Sequence, residues 1–273
     1  MEPSKGNRST HEKRIQRIVK QLKGVRKETK TGNSREELIE ELEELGAIDE
    51  LAEIGASESI RFLAKRTEGP LKEKAMRQLE LMTDDLIRRN DLKALTSIAK
   101  YGRPTYASKA LDYLYAKKAI NYIIEIVFIN RPKISKKALL LLGDLQEWMK
   151  QTKNSAAIAF LAIFHPRLSN NAIQSLQEMG EFEMLTTIAR GTRGKIRNTA
   201  LNELKKRIPQ LERAHQEKPL GVIAAFSGDV NALHALQRMK AKEELHYVAK
   251  NGDKKVRRMA FEALDSMAHG RST

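Results

Sequence analysis

Along most of the chain apolar residues recur at the three- and four-residue spacing of an α-helix, and one arrangement comes back seven times. It is an alanine followed four residues later by a leucine: Ala75/Leu79, Ala110/Leu114, Ala138/Leu142, Ala172/Leu176, Ala200/Leu204, Ala232/Leu236 and Ala260/Leu264. The residue after each alanine is apolar (Met76, Leu111, Leu139, Ile173, Leu201, Leu233, Phe261). Four residues before it stand Leu71, Tyr106, Ile134, Leu168, Ile196 and Val256, with Gly228 the one break. These positions share one helix face, so each unit is expected to hold a helix with a buried stripe and a small residue where a neighbour comes close.

Twelve residues before the alanine a second apolar series appears, Leu63, Ile98, Ile126, Phe160, Ile188 and Val248. Fifteen before it stand Ile60, Leu95, Ile123, Ala157, Leu185 and Leu245. Two amphipathic helices per unit follow. The sixth unit fits only if about three residues are missing from its turn, which puts Leu220 and Ile223 in these roles. Gly- and Pro-bearing stretches (TEGP, YGRP, NRP, HPR, GTRG, SGD, NGD) separate the helices and suit helix ends and starts. Successive alanines lie 35, 28, 34, 28, 32 and 28 residues apart. The alternation suggests a duplicated two-unit ancestor. Upstream, Leu38, Ile39 and Leu42 in REELIEELEELG fit the frame without its alanine, as a degenerate capping unit would.

The stretch GDKKVRRMAFEAL, Gly252 to Leu264, closely resembles the second half of a HEAT repeat, and GKIRNTALNEL, Gly194 to Leu204, resembles it less fully. Both carry a Val/Ile-Arg-x-x-Ala run (Val256, Arg257, Ala260; Ile196, Arg197, Ala200), although most units lack the Asp and Arg typical of these repeats. The resemblance implies an all-α, right-handed α-solenoid of about seven HEAT-like two-helix repeats with an N-terminal capping region. First helices would line its convex side and second helices its concave side. The expected organisation is a basic arm with one amphipathic helix over residues 1–34, an acidic capping unit over 35–57, the repeats over 58–268 and a short tail over 269–273.

Composition agrees with helices: 41% of residues are hydrophobic, 5% aromatic and 31% charged. There is no cysteine, which excludes disulfides, thiolate metal sites and cysteine nucleophiles. No apolar run is long enough to span a bilayer and the first residues lack a secretory pattern, so a cytoplasmic protein without integral membrane association is expected. Chemistry finds little support. The iron-binding His-Glu pairs of deoxyhypusine hydroxylases, which share the architecture, are represented only by His11-Glu12. The other histidines, His165, His215, His234, His246 and His269, show no metal-ligand spacing. HEAT-like alkylpurine DNA glycosylases use a concave carboxylate with aromatic residues; Asp144 and Trp148, one helical turn apart, are the nearest counterpart. No catalytic residue, metal or cofactor is assigned, and the expectation is a non-enzymatic protein.

Charge is the loudest bulk property. The net value is +15, distributed as +7 over residues 1–34, −9 over 35–60 and +17 over the rest. Lys and Arg gather at the turns and the starts of the second helices: Lys65, Arg66, Lys72, Lys100, Arg103, Lys109, Arg131, Lys133, Lys136, Lys137, Arg167, Arg190, Arg193, Lys195, Arg197, Lys250, Lys254, Lys255, Arg257 and Arg258. Stacked repeats would align them into a stripe along one edge. Exposed N–H groups at helix starts add anion affinity there, and cations at such starts oppose the helix macrodipole, a hint that stability did not place them. A second basic feature is THEKRIQRIVKQLKGVRK, where Lys13, Arg14, Arg17, Lys20, Lys23, Arg26 and Lys27 surround Ile15, Ile18, Val19 and Leu22. That helix would cap the repeats, order on nucleic acid or lie on an anionic membrane, with ETKTGNS as a hinge. Together these features predict a nucleic-acid or ribonucleoprotein partner held mainly through phosphates, since the stripe shows no interleaved aromatics. The alternative is a scaffold for an acidic or helical protein.

Overall fold

The computed structural model describes residues 12–20, 35–165 and 167–269. The chain divides into two compact units, Met1–Leu141 and Leu142–Thr273. In chain order the first contains α1 (residues 12–20), α2 (Arg35–Glu44), α3 (Ile48–Glu53), α4 (Ser57–Arg66), α5 (Gly69–Leu81), α6 (Thr83–Arg89), α7 (Leu92–Tyr101), α8 (Pro104–Ala116), α9 (Ile120–Val127) and most of α10 (Pro132–Asp144). The second contains α11 (Gln146–Gln151), α12 (Ser155–Phe164), α13 (Ser169–Glu178), α14 (Phe182–Gly191), α15 (Gly194–Lys205), α16 (Ile208–Arg213), α17 (Glu217–Ser227), α18 (Val230–Arg238), α19 (Lys242–Asn251) and α20 (Lys254–Ala268). Among the described residues there is no strand. The protein is an all-helical repeat protein.

Helix pairs α4/α5, α7/α8, α12/α13, α14/α15, α17/α18 and α19/α20 pack as hairpins, with α9 and α10 carrying the remaining frame. Every anchor alanine, from Ala75 to Ala260, has no exposed surface, and neither do Leu79, Leu114, Leu142, Leu176, Leu204 and Leu236. The first helices bury Ile60, Leu95, Ile98, Ile123, Ile126, Leu185, Ile188, Leu245 and Val248 against them. Each such side chain contributes about 1.5–3 kcal/mol through removal from water.

Chain reversal follows one rule. In α8, α13 and α18 the residue four after the buried leucine adopts a left-handed conformation: Lys118 (φ 53°), Gly180 (φ 74°) and Lys240 (φ 55°). The next N–H then bonds back to the leucine carbonyl, Ala119 to Leu114 at 2.9 Å, Glu181 to Leu176 at 2.9 Å and Ala241 to Leu236 at 3.0 Å. This is the Schellman arrangement, and it satisfies carbonyls the helix end would leave open.

The alternating period has the same origin. After Leu79, Leu142 and Leu204 the chain continues for seven residues to a second buried residue, Leu86, Met149 or Leu211, before it reverses. There the left-handed residues are Asn90, Lys153 and His215, each four positions on. Seven residues are two helical turns, so the added residue returns to the same face. The extension breaks away as the short helices α6, α11 and α16, which account for the long spacings.

Three expectations are corrected. In α12 the fully buried large residues are Ile158 and Leu161, while Phe160 is half-buried, so this helix is turned by one position from the frame. SAAIAFLAIF is apolar on every side and gives periodicity nothing to fix. In the sixth unit Leu220 and Ile223 are fully buried as expected. The residues are missing from the start of α18, however, which begins two residues before its alanine where α5, α8, α15 and α20 begin six before theirs. Finally, Phe261 is 56% exposed and Leu264 half-buried, with no helix after α20 among the described residues to cover this face.

At the N-terminal end Ile15, Ile18 and Val19 of α1 are buried and Arg14 pairs with Glu41 of α2. Of the acidic helix, Leu42 is fully buried and Ile39 half-buried. Leu22, Lys23, Arg26, Lys27, the ETKTGNS segment, His11 and the Leu38 side chain lie outside the described residues.

A left-handed lysine carries a backbone cost of about 1–2 kcal/mol that glycine lacks. Lys118→Gly and Lys240→Gly are therefore each expected to raise unfolding free energy by about 1 kcal/mol in urea denaturation. Loss of stability on both changes would show that the reversal is not held by this conformation.

Candidate functional site

In the first unit most basic residues of the turns are engaged internally. Lys100 Nζ lies 2.5 Å from Glu125, and Lys109 Nζ 2.5 Å from Asp84. Arg103 donates from its Nε to Glu80 Oε2 at 2.6 Å and from its backbone N–H to Glu80 Oε1 at 2.5 Å. Glu80 is only 4% exposed, so this guanidinium is the counter-charge of a buried carboxylate that also closes the start of α8. Arg131 Nη1 donates to the Lys100 carbonyl at 3.1 Å. Lys65, Lys133 and Lys136 make no ion pair with any described residue.

A regular ladder underlies part of this. The residue before the anchor alanine is Lys74, Lys109 and Lys137 in the first three units. Their ammonium groups meet Asp49, Asp84 and Asp112, each 25 residues upstream, at 2.7, 2.5 and 2.6 Å. Each bridge ties one repeat to the preceding one. The sequence reading placed Lys109 and Lys137 among the turn cations and missed the Asp spacing, which was the available signal.

The second unit differs. Arg258 pairs with Glu262 at 3.3 Å within α20, and Arg257 Nη2 donates to the Gly252 carbonyl at 3.0 Å. Arg167, Arg193, Lys195, Lys250, Lys254 and Lys255 make no ion pair with any described residue. Arg190 and Arg197 sit on aromatic rings contributed by later repeats: Arg190 lies 4.8 Å from the Tyr247 centroid and Arg197 4.5 Å from that of Phe226. The two rings meet edge to face at 6.3 Å. One connected cluster thus joins α14, α15, α17 and α19, and it brings together cations from both sides of the α14–α15 turn.

The expected lack of interleaved aromatics is therefore corrected. In the first unit Arg66 lies over Phe62 at 4.3 Å, Lys72 over Tyr101 at 5.9 Å and Arg103 over Tyr106 at 5.1 Å. Phe62 and Tyr106 are near their cations in the chain, whereas Tyr101, like Tyr247 and Phe226 in the second unit, comes from another helix, which sequence proximity does not reveal.

The macrodipole hint also divides. Lys65, Arg66, Lys100, Arg190 and Lys250 occupy the last turns of α4, α7, α14 and α19, where the dipole favours cations. Lys195 and Arg197 in α15, and Lys254 and Lys255 in α20, stand near helix starts and oppose it. At α20, Asp253 accepts from the N–H groups of Lys255 and Val256, and Asp229 does the same at α18. The start of α15 carries no side-chain cap, so its N–H groups remain open beside Arg193 and Lys195.

Beside the ring cluster stands Glu244, half-buried against Gly221, whose lack of a side chain leaves room for the carboxylate. Burial pushes its pKa above the ordinary carboxylate value, with Arg190 opposing in part. Elsewhere exposed pairs act in the other direction: hydrogen bonds from Lys150 and Arg238 hold Glu178 and Glu212 below theirs.

No family model matches the chain, and no curated protein matches it. Solved structures similar to it include designed proteins. An engineered protein is 19% identical over 94% of this chain and 97% of its own, with a TM-score of 0.23. A designed armadillo repeat protein is 18% identical over 92% and 99%, with a TM-score of 0.19. Another, in complex with the peptide (KR)4, is 18% identical over 92% and 98%, with a TM-score of 0.18.

Asp144 and Trp148 do not share a helix. Asp144 ends α10, Leu145 leaves the helical path, and Trp148 lies in α11 with its hydrogen-bonding carbonyl turned to Thr152. Asp144 is exposed and Trp148 half-buried. Among the described residues no group of three or more His, Asp or Glu is placed to hold a metal ion, and no helix is long and apolar enough to cross a membrane.

Removing Arg103 strands a buried carboxylate, whereas removing Lys109 breaks an exposed pair. Arg103→Ala is expected to cost about 1–3 kcal/mol and Lys109→Ala under about 1 kcal/mol in denaturant titrations. For Glu244 the sign is opposite to that of a paired acid. A raised folded-state pKa means stability present at low pH and lost as pH rises through the unfolded and then the folded value. Glu244→Gln should raise Tm at neutral pH, with the difference from wild type closing as pH falls below the ordinary glutamate pKa. A pH-independent difference would refute the burial effect.

Proposed function

We propose that the protein is a non-enzymatic, cytoplasmic nucleic-acid or ribonucleoprotein binder whose phosphate contacts are made chiefly by the second unit. The observation that carries this reading is the α14–α15 turn. Arg193 and Lys195 stand there without acidic partners, beside an uncapped helix start, with Arg190 and Arg197 held in place on Tyr247 and Phe226. A cation already paired with a carboxylate must give up that partner to meet a phosphate, while an unpaired one needs only to release water and a counterion. Lys250, Lys254 and Lys255 extend the unpaired set along α19 and α20. Guanidinium groups seated on rings also present their edges to an anion in fixed orientation.

Phosphate contacts fix position without reading sequence, so specificity for base order is expected to be low. With five phosphates engaged, log K against log salt on duplex DNA has a slope of about −4.5. A variant carrying alanine at Arg193, Lys195, Lys254 and Lys255 is expected to flatten that slope by about 3 to 4. Fluorescence anisotropy across low and moderate salt makes the measurement. Absence of binding to duplex DNA, RNA and ribosomes alike would defeat the proposal.

One observation favours a protein partner instead. Phe261 is exposed on α20 among Lys254, Lys255, Arg257, Arg258 and Glu262, beside a shallow hollow open to solvent. An apolar side chain ringed by cations suits an acidic, amphipathic helix. If Phe261→Ala abolishes capture of an acidic protein while nucleic acid is ignored at low salt, this second reading replaces the first.

A further inference from the structure

The first unit holds a cavity that the phosphate contacts above do not use. It lies where α4, α7 and α9 stack, and its volume is about 360 Å3, at the small end of what ligand sites occupy. Arg61 and Lys65 of α4, Lys93 and Lys100 of α7, and Tyr101 and Tyr122 form most of its wall.

Two of its four cations are internally balanced, Arg61 by Glu58 at 3.0 Å and Lys100 by Glu125 at 2.5 Å. Lys65 and Lys93 make no ion pair with any described residue, which leaves about two positive charges facing the cavity. Polar groups deeper in the wall are already satisfied: the Thr96 hydroxyl donates to the Leu92 carbonyl at 2.7 Å and that of Ser97 to the Lys93 carbonyl at 3.3 Å. Tyr101, by contrast, is 54% exposed at the end of α7. An exposed ring beside unpaired ammonium groups is the combination that recognises a flat aromatic group carrying a negative charge. A carboxylate-bearing peptide would use the lysines and leave the ring idle. A base pair inside a duplex offers no open face to Tyr101.

We infer that this cavity takes one nucleotide unit, its base stacked on Tyr101 and its phosphate between Lys65 and Lys93. The inference rests on the reading of the protein as a nucleic-acid binder and gives that reading a preference for unpaired strands. The contrast with the second unit supports it. There Arg190 and Arg197 cover the rings of Tyr247 and Phe226 and leave charge as the available feature, whereas here the nearest cation over Tyr101, Lys72, stands 5.9 Å from its centroid.

The test uses the full chain, a labelled single-stranded homopolymer, a duplex of equal length, a nucleoside monophosphate and a short polyglutamate. Tyr101→Ala is expected to weaken single-strand binding roughly 5- to 100-fold and leave duplex binding unchanged. Lys93→Ala weakens the single strand and the monophosphate together. In a Trp148→Phe background Tyr101→Trp retains binding, and its fluorescence is quenched when the base stacks. Tighter binding of the homopolymer than of the monophosphate identifies a strand as the source of the nucleotide, and the reverse order a free nucleotide. Unchanged single-strand affinity in Tyr101→Ala with duplex binding intact overturns this inference alone. A wild-type chain that binds neither form of nucleic acid removes the proposed function as well. Polyglutamate that competes as well as the monophosphate assigns the cavity to acidic peptides and overturns the inference too.

Discussion

The architecture depends on one reversal of the chain, made by a buried leucine and a left-handed residue four positions later. Burial of the leucine fixes which face of the helix is inward, and the 6→1 hydrogen bond fixes where the next segment departs. Because the two are set within five residues of chain, the reversal is made in the same way each time. Lengthening a unit by two full turns preserves the relation, and Leu86, Met149 and Leu211 do what Leu114, Leu176 and Leu236 do in the shorter units. Insertions of other lengths would turn the inward face away. The zero exposure of the anchor alanines belongs to the same constraint, since a larger side chain there would push neighbouring helices apart.

Repetition also decides what happens to charge. In the first unit a lysine before the anchor alanine meets an aspartate one repeat upstream, and the pairing recurs because the geometry recurs. The second unit places Asn171, Thr199, Asn231 and Met259 at that position and has no such ladder. Exposed pairs of this kind contribute little to stability, about 0–1 kcal/mol each. Their larger effect is on availability, since a neutralised ammonium attracts a distant anion weakly. Two units with the same frame therefore present different electrostatic faces.

The frame itself was legible in the sequence because buried positions in a helix recur with a fixed period and the alanine constraint is local. Legibility failed where that period was lost. In α12 the run SAAIAFLAIF is apolar throughout, so Phe160 and Leu161 were indistinguishable until packing chose between them. At Leu145 a helix that looked continuous divides, so that Asp144 ends α10 and Trp148 lies in α11. The cations were visible as residues but not as charges. Whether Arg103 faces water or a buried Glu80, 23 positions earlier, depends on contacts between repeats. The rings under Arg190 and Arg197 lie 57 and 29 residues away in the chain. Short-range pattern carries the helices; long-range pairing decides which side chains remain free to act.

Net charge alone therefore locates no binding surface in a repeat protein. Of the 50 Lys and Arg behind the net +15, some are paired with internal carboxylates, some lie in last helical turns where the dipole accounts for them, and some sit on aromatic rings. What remains divides into two kinds of surface. On the proposed reading, unpaired cations at the α14–α15 turn would act through counterion release, and their hold would weaken steeply as salt rises. Tyr101 in its cavity would act through stacking, which does not depend on released counterions and tolerates any base. A chain bearing both would hold a flexible strand through its bases where salt has loosened its phosphates, and for a rigid duplex only the charged surface would remain. Discrimination between the two forms of nucleic acid would then come from one exposed ring rather than from any excess of positive charge.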